Sequence, residues 1–301
     1  MNNMALVAHS REVAEEGLSG IAFIPSVTPY PGVVVLGGSD GRMKLAIAER
    51  LAGVGIAAFA LDYWPREYTP LSDLPIENVE RACRWLLAQP GVIGDRVGLV
   101  GQSKGAELAL VVASSYPDLV GPTIAVAPSA VVWYGIDQTQ VPPMLAESSW
   151  SHRGVPLPYV AMSTAKPTMS ERGMALRPTF EAGLDDLEAV RRAVISVELA
   201  TGPIMLLSGG DDQMWPSARM AGMVADRMAA HGRAADISTV TYESAGHSLL
   251  VSAAAPTIDP GERAGLAFDL GGSDEVNAAA GADAEVRISE FFQVHLARPT
   301  S

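Results

Sequence analysis

A chain of 301 residues, 48% of them apolar, has enough apolar matter for a large core, and its 21 Lys and Arg against 34 Asp and Glu give a net charge of −13. That composition excludes intrinsic disorder and argues against nucleic acid as a partner. The longest apolar run, residues 54–61, falls far short of the ~18 residues that a membrane-spanning helix needs. Met1-Asn2-Asn3-Met4-Ala5 lacks the basic start and apolar stretch of a secretory leader, so a cytoplasmic location is expected. One cysteine, Cys83, allows no internal disulfide. A single domain over residues 1–301 is the expectation, and nothing in the sequence sets the oligomeric state.

In chain order, Glu12 to Ile24 reads as two strands around a turn at Gly17, so the sheet is expected to start with an antiparallel edge. Val33 to Leu36, Ile56 to Leu61 and Arg96 to Val100 are short, continuous apolar runs that end in turn residues, the pattern of strands buried on both faces. Between them, Met43 to Leu51 and Asn78 to Leu87 carry apolar residues at helical spacing, with Cys83 packed on the second helix. Ala106 to Ala113 is apolar nearly all round and predicts a buried helix. Further strands are expected at Thr123 to Ala127, Ile204 to Leu207 and Ile237 to Tyr242, with helices at Ala218 to Ala230 and Asp274 to Leu296. The alternation predicts an α/β protein with a mostly parallel sheet of about eight strands flanked by helices. Residues 135–200 break the rhythm and predict an irregular lid or insertion, with Trp133, Tyr134, Trp150 and Tyr159 suited to a planar or bulky substrate or to simple packing. Residues 252–273 predict a second irregular loop.

The strand ending at Val100 runs into Gly101-Gln102-Ser103-Lys104-Gly105 and then a helix, the Gly-x-Ser-x-Gly pattern in strand-turn-helix context. A sharp turn lifting a serine oxygen above a sheet leaves room only for glycine two residues to either side. Ser103 is the candidate nucleophile. Of five histidines, His9 falls in an opening strand, His152 in the insertion, His231 at a helix end and His295 in the last helix. His247 remains as the base, in a small-residue loop after a strand. The strand Ile204 to Leu207 empties into Gly209-Gly210-Asp211-Asp212, which offers Asp212 as the acid that orients the histidine, with Asp211 as the alternative. The alternative role for either aspartate is to cap the helix after Pro216, which one of the two could serve while the other pairs with His247. Chain order Ser103, Asp212, His247 is the order of α/β-hydrolases. For the oxyanion, the backbone N–H of Lys104 and one from Gly37-Gly38-Ser39-Asp40-Gly41 are expected, Ser39 first and Gly38 second. The Lys104 side chain would pair with Glu107 one turn on.

Gly101-Gln102-Ser103-Lys104-Gly105-Ala106-Glu107 resembles the nucleophile segment of the acyl-CoA thioester hydrolases, which share a C-terminal domain with the bile acid-CoA:amino acid N-acyltransferases and are dienelactone-hydrolase-like. The resemblance extends to residues 53–63, to Gly210 through Ser217, to Ala245-Gly246-His247 and to Gly271-Gly272-Ser273. It implies a triad of Ser103, Asp212 and His247, favours Asp212 over Asp211, and implies a small-molecule acyl thioester or ester as substrate; no cofactor is expected, and no metal, since the sequence has no His-Glu-x-x-His and one cysteine. Longer members carry an N-terminal β-sandwich domain, whereas this chain begins almost at the hydrolase sheet. The transferases use cysteine as nucleophile, so serine here points to water or an alcohol as acceptor. Acidic and basic side chains balance over residues 150–200, which forms no basic cradle for CoA phosphates. Two alternatives use the same scaffold: an enzyme acting on a lactone or natural-product intermediate, and a noncatalytic binding protein.

Overall fold

A computed structural model of the chain describes residues 8–64, 70–137, 144–250, 258–259 and 267–296. Residues 1–5, and parts of the two stretches expected to be irregular, residues 138–143, 252–257 and 260–266, lie outside them. Strands β1 (Ala8–Glu15) and β2 (Leu18–Pro25) form an antiparallel hairpin paired from Ala8↔Pro25 to Glu15↔Leu18. Gly17 turns it at φ 72°. β3 (Gly32–Leu36), β4 (Ala57–Leu61), β5 (Val97–Gln102), β6 (Val120–Val126), β7 (Ile204–Gly209) and β8 (Ile237–Tyr242) complete one sheet in the order β1-β2-β4-β3-β5-β6-β7-β8. From β4 to β8 neighbouring strands run parallel. Their carboxyl ends therefore lie along one side, where the connecting loops gather. The antiparallel edge and the eight strands agree with the sequence expectation.

Alternate strand residues feed two cores. Val34, Leu36 and Leu99 pack with α2 (Glu77–Leu87), α3 (Lys104–Ser115) and α6 (Ser217–Ala230). Val33, Val35 and Val100 pack with α1 (Leu45–Gly53) and α7 (Asp274–His295) on the other face. Period-two alternation with both neighbours buried explains why these strands read as unbroken apolar runs. Burying each Val, Leu or Phe contributes about 1.5–3 kcal/mol against chain entropy. α3 is buried along every residue from Lys104 to Ala113, a span that contains the nearly all-apolar Ala106 to Ala113 read as a buried helix. Among the described residues, no helix is long and apolar enough to cross a membrane.

The insertion is more ordered than its sequence suggests. Tyr134–Ile136 pairs with Met144–Ser148, and Trp150–His152 pairs with both Val155–Pro156 and Leu74–Pro75. Two short helices follow, α4 (Arg177–Leu184) and α5 (Leu187–Ala193). Strands of two to five residues are too brief to imprint a period, which is why they read as irregular. The second loop is likewise drawn into structure: Phe268–Asp269 pairs with Ile258–Asp259 and meets the hairpin of Thr168–Ser170 and Gly173–Ala175.

Candidate active site

Ser103 sits between the end of β5 and the start of α3 at φ 57° and ψ −122°. A non-glycine residue there stores backbone strain, on the order of 1–3 kcal/mol, that the surrounding structure must hold. Its N–H donates to the Val126 carbonyl at 2.9 Å, which ties the turn to β6. The flanking glycines are dictated by contact: a Cβ on Gly101 would stand 2.0 Å from the Gly105 carbonyl oxygen, and one on Gly105 would stand 2.2 Å from that of Gly37. Sequence and geometry meet at this turn.

The loop after β8 carries His247. Its N–H donates to the Leu270 carbonyl at 2.7 Å, and the preceding Gly246 N–H donates to Asn277 Oδ1 at 2.7 Å. Asn277, wholly buried on α7, donates in turn to the Gly271 carbonyl. The ring so held has Nε2 at 2.9 Å from Ser103 Oγ and Nδ1 at 2.8 Å from Asp212 Oδ2. Asp212 Oδ1 accepts from the Met214 and Trp215 amides, which fixes the carboxylate in the turn after β7. Asp211 faces elsewhere: its oxygens accept from the Gln213 side chain and from the Gly272 N–H. Neither aspartate caps α6, whose first residue has no side-chain cap. That alternative role is not taken, because Asp212 bonds the turn before the helix and His247, and Asp211 bonds the Gly272 loop.

The loop after β3 passes beside the serine. A Cβ on Gly38 would lie 3.3 Å from Ser103 Cβ, and the Gly41 N–H closes a turn onto the Gly38 carbonyl with Ser39 and Asp40 at its centre. The Tyr63 hydroxyl donates to the Gly37 carbonyl at 2.8 Å and holds the loop in place. A small cleft of about 10 Å³ opens between this loop and Met43, Tyr63 and Trp64. Opposite it, α3 begins at Lys104, and the positive end of its dipole faces the serine.

The Lys104 side chain turns away from the serine into a buried ion pair. Its Nζ lies 2.7 and 2.8 Å from the two Glu107 oxygens and 5.2 Å from the centre of the Trp150 ring. Glu107 Oε1 also accepts from the Trp133 N–H at 3.1 Å and the Trp150 indole at 2.7 Å. Burial pushes the lysine down and the glutamate up, and the partner's charge opposes each shift. The insertion is anchored a second time through Arg177, which donates to the carbonyls of Gly210 and Asp212. A file of rings then joins it to the histidine: Trp133 and Tyr134 meet Phe180, Phe180 meets Trp215, and Trp215 lies edge-on to His247 at 5.8 Å.

Sequence reasoning missed Asn277, Phe180, Trp215 and Tyr63. Only Trp215 had a local signal, its place beside Asp212. The other histidines lie where they were expected: His9 in β1, His152 in the insertion, His231 at the end of α6 and His295 in the last turn of α7. Cys83 is buried on α2 and unbridged.

Strand order, the strained serine at the β5–α3 turn and the histidine loop after β8 define an α/β-hydrolase. The solved structures it resembles share that architecture. An esterase of Pyrococcus furiosus aligns over 96% of this chain and 93% of its own, with a TM-score of 0.54 at 13% identity. A dienelactone hydrolase from Anabaena variabilis aligns over 97% and 99%, with a TM-score of 0.50 at 16% identity. More specifically, the chain belongs to the BAAT / acyl-CoA thioester hydrolase C-terminal family, whose model matches residues 74–298. It is 31% identical to acyl-coenzyme A thioesterase 6 of Mus musculus, over 90% of this chain and 61% of that protein. To the mitochondrial acyl-coenzyme A thioesterase 2 of Homo sapiens it is also 31% identical, over 92% of this chain and 55% of the relative. The chain thus spans roughly three-fifths of the length of these relatives.

Proposed function

We propose that this chain is a serine hydrolase that cleaves acyl thioesters or carboxylic esters through an acyl-enzyme, with acyl-CoA thioesters as the leading substrate class. The observation that carries the reading is the line of hydrogen bonds from Asp212 through His247 to Ser103, at 2.8 and 2.9 Å. Family membership and the thioesterase names of the relatives support the thioester. In this reading His247 Nε2 takes the Ser103 proton as Oγ attacks the acyl carbonyl. Asp212 Oδ2 holds the proton on Nδ1 and stabilises the imidazolium. The oxyanion is received by the Lys104 amide at the start of α3 and by the Ser39 amide, with that of Gly38 as the alternative donor. The leaving thiol or alcohol departs with the proton from His247, and a water activated by the same ring releases the acid. Residues 135–200 serve as the lid over this site within one domain, a role supported by their anchors at Glu107 and Arg177.

The test compares initial rates on matched acyl-CoA thioesters and oxygen esters for the wild type and Ser103→Ala, with organophosphonate labelling of Ser103. Serine-dependent turnover that favours CoA thioesters is expected. Full turnover by Ser103→Ala, or a serine that resists the phosphonate, sinks the hydrolase reading. Labelling with turnover of oxygen esters or lactones alone removes CoA and keeps the serine.

A further inference from the structure

Three ring donors buried in the insertion and beside the histidine have no hydrogen-bond partner: Trp133 Nε1, the Tyr134 hydroxyl and Trp215 Nε1. All three residues are at most 3% exposed. Their rings gather about Phe180, with centres 4.8, 5.7 and 5.7 Å from its own. Folded proteins retain few such groups, because burial strips their water and returns nothing. An indole N–H can only donate, and an unpaired phenol buried among rings calls for an acceptor as well. Trp215 stands 5.8 Å from the His247 ring, so the cluster reaches the candidate base.

Charge around the cluster selects the acceptor. The negative charge of Glu107 acts on Tyr134, and the cation next to it, Lys104, is engaged by both Glu107 oxygens. A carboxylate among these rings would lose its water and face a like charge, and the neighbouring cation among the described residues, Lys104, is already paired with Glu107. A neutral oxygen loses far less and satisfies the donors equally well.

We propose that the acyl group taken by this site carries a neutral oxygen acceptor, a ketone, hydroxyl or ether, received by the Tyr134 hydroxyl and the flanking indoles of Trp133 and Trp215. The inference rests on the hydrolase reading and names its substrate class. The rings grip the hydrocarbon part of the acyl chain, and the donors read the oxygen.

The experiment uses acyl-CoA thioesters of equal chain length, unsubstituted or with an oxo or methoxy group moved stepwise along the chain beyond the reach of inductive activation. Wild type is expected to favour one oxygenated isomer by about tenfold in kcat/KM, near the worth of one hydrogen bond left unmade. Tyr134→Phe, which keeps the ring, should erase most of that preference, read as the ratio of kcat/KM between the oxygenated and unsubstituted chains. Trp215→Phe, which keeps a ring against His247, supplies a second variant for the same comparison. Equal rates across the panel in the wild type, or an equal loss on every member in Tyr134→Phe, overturns the inference. If no member shows Ser103-dependent turnover, the hydrolase reading has failed instead. The inference is then judged by tryptophan-fluorescence titration of Ser103→Ala with the corresponding free acids: tighter binding of an oxygenated acid, lost in Tyr134→Phe, upholds it, and equal binding sinks it.

Discussion

The indole N–H of Trp150 donates to Glu107 Oε1 at 2.7 Å, joining the insertion to the helix that begins beside Ser103. The same oxygen accepts from Lys104 and from the Trp133 backbone, so one carboxylate holds two insertion segments and a buried cation. Glu107→Gln keeps an acceptor for Trp150 and strands the lysine charge. A loss of about 3–5 kcal/mol in urea unfolding is expected. Combining it with Lys104→Met, which removes the stranded charge, should return most of that loss. A double variant no more stable than Glu107→Gln would contradict the ion-pair account.

Asp212 and Asp211 are neighbours with different work, and paired substitutions separate them. Asp212→Asn leaves the fold intact and removes the group that fixes the His247 tautomer, with an expected loss on the order of ten-thousandfold in kcat. Asp211→Asn should weaken the tie to Gly272 and cost stability, while kcat per phosphonate-titrated serine stays near that of the parent. The reverse pattern would reassign the acid.

For Asn277→Ala, the expectation is a loosened histidine loop, because the buried Gly246 N–H loses its acceptor. Leaving that donor unpaired costs about 1–3 kcal/mol. A drop in kcat larger than any rise in KM would locate the effect in the placement of His247. Steady-state kinetics at several temperatures below the melting point measure it.

Much of the site was legible because its chemistry forces residue types. The glycines at 101 and 105 stand where any side chain would strike a carbonyl oxygen, so the turn announces itself in sequence. His247 followed by elimination among few histidines. Asp211 and Asp212 share a residue type and a loop, and only their opposite directions after β7 tell them apart. The Lys104 and Glu107 pair was visible from its spacing, but its partners Trp133 and Trp150 come from distant segments and left no local mark. Asn277 gave no signal either, being one polar residue in a long, alanine-rich helix. Core strands were read well because they are continuous and apolar, and the insertion poorly because its strands are too short to show a period.

Glu198 offers a pH test away from the site. Hydrogen bonding from Arg227 holds its carboxyl below the ordinary value, and the side chain is 12% exposed. A depressed folded pKa stabilises the fold above the unfolded carboxylate range, about pH 4.3, and that contribution fades as pH falls through the folded value. Glu198→Gln should therefore cost about 0.5–1 kcal/mol at neutral pH, as partly exposed pairs do. The gap in urea midpoints should close in acid. A gap that stays constant with pH would mean that packing, not charge, is lost.

The Ser103 N–H is bonded into the sheet through the Val126 carbonyl, whereas the insertion hangs on ladders a few residues long. Deuterium should replace the serine's amide proton only when the whole sheet opens, while amides of the insertion exchange through local, less costly openings. Under the proposed hydrolase reading, entry of a substrate and exit of its products draw on a reservoir of motion separate from the one that holds Ser103. The cover can breathe many times for each occasion on which the serine loses its place.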